Sequence, residues 1–375
     1  MSYYGGSSAE RRPPAPPHTR VGWITGLLLA VVVLLVAGVA VLNLVTVDKV
    51  IYRPAGVHNT LGEMNGQPVV DIEGLETFET EGSLDFLTII IDGGPRSDVT
   101  AWDWLMAELN PATDVYEAAD IYPPEVTAEE IQDVNVELMN RSQLGAAVVA
   151  LRAEGIEVPE EVKVAQIIKG APAADAVEVD DQILRVAGTP IGNPQDVRDK
   201  LQEFSPGDVV PFTVLRDGEE IELDVPTGEG DPDPLDTDAE PPTVIGVYLA
   251  SDYDLPYEVT IDAGNVGGPS AGMMFSLAIY DKITPGALTG GLNIAGTGTI
   301  SSDGSVGGIG GIRQKMYAAE RADVDYFLAP AANCDEDVGR IPDGLEVAAV
   351  ETFEQAKDLV EALGEGEDVA LPQCS

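Results

Sequence analysis

Ser270 has a setting in which a serine can act as a nucleophile. It follows the glycine-rich segment Ala263-Gly-Asn-Val-Gly-Gly-Pro269 and precedes an apolar run, 271–280, that predicts a helix. Amide groups at a helix N-terminus are unpaired and carry partial positive charge. They could stabilise the oxyanion that forms when a serine oxygen attacks a carbonyl. The simpler alternative is that Ser270 caps the helix, since serine is common at helix starts.

A nucleophilic serine needs a base, and histidine is scarce in this chain. The two histidines, His18 and His58, both lie in the first 60 residues. This distribution argues against a Ser-His-Asp triad, a Cys-His dyad or a histidine zinc site further along. A carboxylate with a pKa of about 4 is a poor base for a serine hydroxyl, whereas a desolvated lysine can be tuned to about 7–8.

Lys315 is the candidate base. It lies among small and apolar residues between Gly304 and Ala322, and the chain has only seven lysines. Burial lowers the pKa of a lysine, so that its neutral amine can take a proton from serine. The alternative is an ordinary lysine on the exposed face of a helix.

The two segments together resemble the proteolytic domain of the Lon peptidase family, which uses a Ser-Lys dyad. Gly268-Pro-Ser-Ala-Gly272 is similar to the nucleophile motif of that family. Gly307-Gly-Ile-Gly-Gly-Ile-Arg-Gln-Lys315 and the following Ala318-Ala-Glu-Arg-Ala322 are similar to its lysine segment. The resemblance implies Ser270 as the nucleophile and Lys315 as the general base.

The resemblance also implies supporting roles. Thr297 stands where the family has a threonine that supports the lysine, and the loop around Gly268, Pro269 and Ala271 would bind the oxyanion with its backbone amides. Thr299 departs from the pattern, because Lon proteases commonly carry an acidic residue there.

The middle of the chain, 156–228, resembles a PDZ domain. The resemblance is carried by Val162-Lys-Val-Ala-Gln-Ile-Ile-Lys-Gly170 and by Asp180-Asp-Gln-Ile-Leu-Arg-Val-Ala-Gly188. Such domains bind an extended peptide at a sheet edge. No Gly-Leu-Gly-Phe-like loop precedes Val162, so both peptide capture and a spacer with an unused groove stay open.

Short elements are predicted within this module and before it. The helix at 126–154 begins with a possible capping box, Thr127 with Glu130. The predicted strands and the short helix of the module are 162–168, 182–186, 194–204 (the helix), 209–215 and 220–225. A further strand is predicted within 77–92.

The Lon resemblance continues upstream of the PDZ-like module. Gly82-Ser-Leu-Asp-Phe-Leu-Thr88 resembles an early Lon strand, and 139–149 resembles the helix after it. We therefore predict an α/β (α+β) fold in which a Lon-type domain is split by an inserted, β-rich PDZ-like domain. The predicted parts are a cytoplasmic head (1–20), a transmembrane anchor (21–47), the N-terminal part of the protease domain (60–155), the PDZ-like domain (156–228), an acidic linker (229–242), the catalytic part (243–365) and a tail (366–375).

The predicted anchor has no charged residue over 21–47. At 1.5 Å per residue such a helix reaches about 40 Å, enough to cross a hydrocarbon core of about 30 Å. A cleaved signal peptide is the alternative, but its apolar core of about 7–15 residues is shorter than this run. Three arginines before the run against Lys49 and Arg53 after it give a small bias towards a cytoplasmic N-terminus.

An anchor, a PDZ-like domain and a Lon-like domain in this order resemble the bacterial YlbL-like membrane proteases. The resemblance implies a single-pass protein of the cell membrane with its catalytic body outside the cytoplasm. A disulfide between Cys334 and Cys374 is then expected in that oxidising compartment. Lon-type domains often assemble into hexamers, so a homo-oligomer is a further expectation.

The composition of the chain excludes some classes of binding partner. With 65 acidic and 20 basic residues the formal charge is −45, which argues against binding of nucleic acid. No G-x-x-x-x-G-K-[ST] phosphate loop occurs in the sequence, so no ATP-driven unfolding is expected, and neither a cofactor nor a metal is predicted.

The leading hypothesis is an ATP-independent serine endopeptidase, anchored in the lipid bilayer, that cleaves unfolded or flexible proteins and peptides. The competing hypothesis is a non-catalytic PDZ scaffold on a degenerate Lon-like fold.

Overall fold

The computed structural model describes residues 20–123, 126–231, 241–264, 266–337 and 340–374. The predicted head, up to residue 19, and the middle of the predicted linker, 232–240, lie outside the described residues. Two compact units divide the chain: a first unit of Met1–Pro54 and Ile89–Ile131, and a second of Ala55–Thr88 and Gln132–Ser375.

The helices are α1 (Arg20–Leu42), α2 (Ala101–Glu108), α3 (Ala118–Ile121), α4 (Ala128–Ala153), α5 (Pro194–Leu201), α6 (Gly272–Ile283), α7 (Ile312–Arg321), α8 (Cys334–Asp337) and α9 (Phe353–Gly364). The strands are β1 (Thr46–Val47), β2 (Lys49–Asn59), β3 (Glu63–Met64), β4 (Gln67–Pro68), β5 (Val70–Glu73), β6 (Ser83–Gly93), β7 (Val99–Thr100), β8 (Asp114–Glu117), β9 (Glu160–Ile167), β10 (Gln182–Val186), β11 (Thr189–Pro190), β12 (Val209–Arg216), β13 (Glu219–Pro226), β14 (Gly228–Glu229), β15 (Thr243–Val244), β16 (Val247–Tyr253), β17 (Glu258–Ile261), β18 (Asn293–Gly296), β19 (Thr299–Ile300), β20 (Val306–Gly307), β21 (Tyr326–Pro330) and β22 (Val347–Val350).

In the first unit, the apolar helix α1 leads into short strands. The segment Trp23–Leu42 has a mean hydropathy of 2.9, and within the described residues it is the one helix long and apolar enough to cross a membrane. A signal sequence would have the same properties. Beyond α1, β1 pairs with β7 and the first part of β2 pairs with β8, both antiparallel.

The second unit contains a parallel sheet assembled from distant parts of the chain. Strand β18 pairs in parallel with β6 on one side and with β21 on the other, and β22 continues the sheet beyond β21. Strand β17 pairs antiparallel with β5. Strands that precede the PDZ-like sequence thus pair with strands that follow it, as expected for a domain interrupted by an insertion.

One hydrophobic core joins this sheet to its helices. Its centre includes Phe86 of β6, Met274 and Phe275 of α6, and Val148 of α4, all of which are fully buried. Helix α4 begins as predicted, because Thr127 and Glu130 form a reciprocal capping box. Its central residues are small enough, from Gly145 to Ala147, to lie close to neighbouring backbone.

The PDZ-like module has a separate sheet and core. Its strand order is β13-β12-β10-β9-β16, and β11 pairs with β10. Val164, Ile183 and Phe212 lie in its core, which is a cluster distinct from that of the parallel sheet. Strand β16 forms one edge of the described sheet and pairs with β9 along its whole length, from Val247↔Ile167 to Tyr253↔Glu160.

The two chain crossings into this module meet at one place. The amide of Asp254 donates to the carbonyl of Pro159 at 3.2 Å, so the entry and the exit of the insertion are hydrogen-bonded to each other. Arg152, in the last turn of α4, donates to the carbonyl of Val158 and to the carboxylate of Glu160, both at 3.1 Å. Its guanidinium also lies 5.5 Å from the ring centroid of Tyr253.

Two predicted boundaries differ from the observed ones. The sequence predicts that the catalytic part starts at 243, whereas β16 completes the PDZ-like sheet, and the return to the other sheet comes after Tyr253. The strand predicted from Thr77 begins at Ser83. Gly82 has a φ of 70°, and a Cβ there would lie 2.2 Å from the carbonyl oxygen of Leu292, so the chain turns at this point before it can extend.

Candidate active site

Ser270 lies in the loop between β17 and the start of α6, as the glycine-rich sequence predicts. The loop turns sharply because Gly268 has a φ of 89°. Ser270 is half-buried, and Gly272, two residues later, is the first residue of α6. A Cβ at Gly272 would lie 2.6 Å from both Ile300 and Ser142, so only glycine lets the helix start this close to its neighbours.

Helix α4 holds the nucleophile loop by two hydrogen bonds. The hydroxyl of Ser142 donates to the carbonyl of Pro269 at 3.0 Å, and the amide of Gly268 donates to the carbonyl of Asn135 at 3.0 Å. Residues 139–149 resemble a Lon helix, but no pattern in the sequence assigns Ser142 or Asn135 to the site. They contact the loop across more than 120 residues of chain.

Lys315 projects from α7 into the protein and is only 2% exposed. Its Nζ lies 2.7 Å from Oγ of Ser270 and 2.8 Å from Oγ1 of Thr297. The structure therefore brings together the three side chains that the sequence singles out. In the described part of the chain Lys315 forms no ion pair, and burial lowers its pKa from 10.5 to about 7.

The hydrogen bonds of Thr297 determine which of the neighbouring groups donates a proton and which accepts one. Its hydroxyl donates to the carbonyl of Ser270 at 2.9 Å. A hydroxyl has a single proton, so Thr297 can only accept from Lys315. A neutral amine has two protons and one lone pair, and with one N–H directed at Thr297 its lone pair is free to accept the Ser270 proton.

The predicted oxyanion loop contains one available amide in the part of the chain that is described. Pro269 has no amide proton, and the amide of Gly268 is used on Asn135. Ala271 remains, at the N-terminus of α6, where amide groups lack intrahelical partners. Gly268 and Pro269 therefore shape the loop, and Ala271 is the member positioned to donate.

A side chain that the sequence did not single out holds the loop before Lys315. Asn333 accepts from the amide of Ile309 and donates to the carbonyl of Ile309, both at 2.9 Å. That loop leads to Gly311, which has a φ of 72° at the start of α7. The next residue after Asn333 is Cys334, which forms a disulfide with Cys374 in the structure.

A second concave site lies in the PDZ-like module, between α5 and the edge strand β16. It is a groove of about 400 Å³ with an apolar lining that includes Val197, Leu201, Val247 and Leu249. The segment before β16 is Val244-Ile-Gly246, and Gly246 has a φ of 74°. The edge strand thus comes from the end of the module, and the segment that leads into it is Val244-Ile-Gly246 rather than a segment before Val162.

Two family models match this chain. The C-terminal proteolytic domain of Lon protease (S16) matches residues 254–363, and the PDZ domain matches residues 142–227. The first match contains Ser270, Thr297 and Lys315, and it starts where the chain leaves the PDZ-like sheet.

Curated relatives agree with the first match. The Lon protease of Campylobacter jejuni is 34% identical over 111 residues, which are 28% of this chain and 14% of that protein. The Lon protease of Helicobacter pylori is 30% identical over 152 residues, which are 39% of this chain and 17% of that protein. The chain thus spans less than a fifth of the length of these relatives.

A solved PDZ domain from an SdrC-like protein of Listeria monocytogenes is 23% identical. It covers 24% of this chain and 85% of the solved one, and its TM-score of 0.20 is too low for us to argue from it. From the family models, the relatives and the folded elements together, this chain contains a PDZ domain and a C-terminal proteolytic domain of the Lon type.

Proposed function

We propose that this protein is a serine endopeptidase in which Ser270 is the nucleophile and Lys315 the general base. The observation that carries the proposal is the distance of 2.7 Å between Lys315 Nζ and Ser270 Oγ, with the lysine buried and its pKa lowered to about 7. A lysine in this state is partly neutral near pH 7, as a general base must be.

The proposed reaction has two halves. Neutral Lys315 takes the proton of Ser270 while Oγ bonds to the peptide carbonyl carbon, and the amide of Ala271 donates to the oxyanion. The lysine then gives that proton to the leaving amine as the C–N bond breaks, which leaves an ester on Ser270. A water molecule then gives a proton to the same lysine as its oxygen bonds to the ester carbon, and the lysine passes that proton to Oγ as the C–Oγ bond breaks, which releases the acid and restores the serine.

We further propose that α1 anchors the protein in the cell membrane, with the head in the cytoplasm and the body outside. The support is the apolar length of Trp23–Leu42 and the basic residues that precede it. The sequence contains no phosphate-loop motif, so we propose that cleavage is ATP-independent and limited to unfolded or flexible substrates.

The groove between α5 and β16 is proposed to capture protein or peptide substrates. A free sheet edge can accept an extended peptide as an added strand, and the apolar floor of the groove can hold the side chains of that peptide.

Assembly of the protein into a homo-oligomer is a separate proposal, and the resemblance to Lon-type domains suggests a hexamer. The mass of the detergent-extracted protein tests it.

The decisive experiment is labelling by a serine-reactive phosphonate probe, together with cleavage of a flexible peptide. Ser270→Ala, Lys315→Ala and Lys315→Arg should each lose labelling and lower turnover about 10³-fold or more, and the double alanine variant should be little worse than either single one. Arginine should fail because it stays protonated.

Matched controls exist on α6. Ser276→Ala removes another buried serine, and Lys282→Ala removes another lysine whose pKa burial lowers. Both controls should keep labelling and turnover. If wild-type protein is neither labelled nor active, while it is folded, the competing hypothesis of a PDZ scaffold on a degenerate fold is the correct one.

A further inference from the structure

The chain has three tryptophans, and each lies near one end of the apolar helix α1. Trp23 is at the start of α1 and is 80% exposed. Trp102 and Trp104 lie on α2, which the chain reaches much later. Tryptophan is enriched where a membrane meets water, because its ring is apolar and its N–H is polar.

Helix α2 is fixed to the other end of α1. The amide of Ala101, its first residue, donates to the carbonyl of Val45 at 2.8 Å, only three residues beyond the end of α1. The strands on either side reinforce this link, since Thr46 pairs with Thr100 and Val47 with Val99. If α1 spans a bilayer, α2 is therefore held at the bilayer surface on the far side from Trp23.

One face of α2 is apolar and partly exposed in the described unit. On its inner side Ala107 packs with Ile51 and Val99 in a small core. On the outer side Leu105 is 41% exposed, Met106 37% and Leu109, the C-cap residue just after the helix, 70%. At about 100° per residue these three side chains lie within about 100° of one another around the helix axis. Exposed apolar side chains that share one face of a helix can form an interaction site.

Trp104 is placed as an interfacial residue. Its ring lies 6.0 Å from Nζ of Lys49, and its Nε1 donates to Glu108 at 3.1 Å. The other carboxylate of the helix, Asp103, accepts from the backbone and hydroxyl of Thr100 in a capping box. The two carboxylates of α2 are thus hydrogen-bonded, and at about 100° per residue they lie on either side of the apolar face.

We propose that α2 is an interfacial membrane helix, whose Leu105, Met106 and Leu109 enter the headgroup–acyl boundary of the bilayer that α1 spans. The inference rests on the proposed span of α1. The occupant is lipid rather than another protein because the hydrogen bond from Ala101 to Val45 leaves α2 beside the end of the span, where lipid headgroups lie.

Tryptophan fluorescence tests the proposal on the full chain in phosphatidylcholine vesicles, with and without shallow brominated acyl chains. In Trp23→Phe protein the emission comes from Trp102 and Trp104, and brominated lipid should remove most of it. Leu105→Glu with Leu109→Glu should abolish that loss of emission. Val134→Glu, which changes an exposed apolar residue on α4, should leave it intact.

The reciprocal protein, Trp102→Phe with Trp104→Phe, reports Trp23 alone and so tests the span itself. If Trp23 is quenched by brominated lipid while Trp102 and Trp104 are not, the inference about α2 is wrong and the span stands. If none of the three is quenched, the span has failed and the inference with it. If Trp102 and Trp104 are shielded from a water-soluble quencher but not quenched by brominated lipid, a second copy of the chain covers α2 and the inference is wrong.

Discussion

Lys315 makes the folded state less stable at the pH at which the proposed reaction needs it. Its amine is buried beside two hydroxyls, with no ion pair among the described residues, so folding at neutral pH either removes its proton or buries its charge. A fall of pKa from 10.5 to about 7 corresponds to roughly 4 kcal/mol at pH 7. Active sites commonly contain buried polar groups that lower the stability of the folded protein.

A first prediction concerns Lys315→Met, which should raise the free energy of unfolding at pH 7. Because the folded pKa is depressed, the unfolded state binds more protons between about pH 7 and 10.5, so the wild type gains stability as pH rises through that window. The advantage of the methionine variant should therefore shrink by about 4 kcal/mol between pH 7 and 10. Urea unfolding of both proteins measures it, and an advantage independent of pH would contradict the burial of a neutral amine.

A second prediction concerns the pH dependence of turnover. Peptide cleavage should rise with pH with a midpoint of about 7, because only deprotonated Lys315 can accept the proton of Ser270. Thr297→Val removes the acceptor for one lysine N–H and should lower kcat by about tenfold or more while shifting the midpoint. Thr297→Ser keeps the hydroxyl and should keep both values near wild type. Unchanged turnover in Thr297→Val would remove this residue from the site.

At the scale of elements, α4 acts as the support of the nucleophile loop. We predict that Ser142→Ala lowers kcat with little change in KM, because the loop carbonyl of Pro269 loses its donor. Ser276→Ala is the matched control, since that buried hydroxyl donates within α6 to Met273. Both variants should lose about 1–3 kcal/mol of stability. Equal turnover in the two would mean that the contact is structural only.

The disulfide supports the lysine side in the same way. Protein exported under oxidising conditions should contain no free thiol, and reduction should lower stability by about 4 kcal/mol for a loop of this length. Cys374→Ser should also reduce turnover, because Asn333 beside Cys334 holds the backbone of Ile309. Thiol titration and peptide cleavage measure these effects. Two free thiols in the exported protein would show that the pairing does not form there.

The sequence predicted those elements whose signals are local. The start of helix α4 is predicted by its capping box. Strand β10 is predicted with its observed bounds because its residues favour strands. Strand β16 lies in the predicted catalytic part, 243–365, but pairs with β9, which is far away in the sequence, and alternation alone does not identify a partner strand. Ser270 and Lys315 came from two motifs, whereas Ser142 and Asn333 act through single hydrogen bonds to distant backbone, which leave no pattern in the sequence.

At the scale of the molecule, the PDZ domain is an insertion whose ends meet. The hydrogen bond from Asp254 to Pro159 puts the deletion points at 160 and 253, whereas the sequence predicts a PDZ-like domain over 156–228. We predict that deletion of 160–253 with a short glycine link leaves cleavage of a flexible peptide largely intact and slows cleavage of a protein substrate. Circular dichroism checks the fold. A remainder that does not fold would contradict the split domain.

Arg152 contacts Val158 and Glu160 at the entry of the PDZ domain and Tyr253 at its exit, and we call this set of contacts the joint. The joint has a consequence for the length of the peptide fragments that cleavage would release. Entry and exit of the PDZ domain are both bound at that joint, and Arg152 also donates to the carbonyl of Ser302 in the catalytic part. Two crossings pinned at one point restrict swinging more than a single tether does. A substrate anchored in the groove would then reach Ser270 after a set stretch of extended chain, at about 3.3–3.6 Å per residue. The position of cleavage would then depend on its distance from the segment bound in the groove rather than on the residues around the cleaved bond. The fragments would therefore have similar lengths.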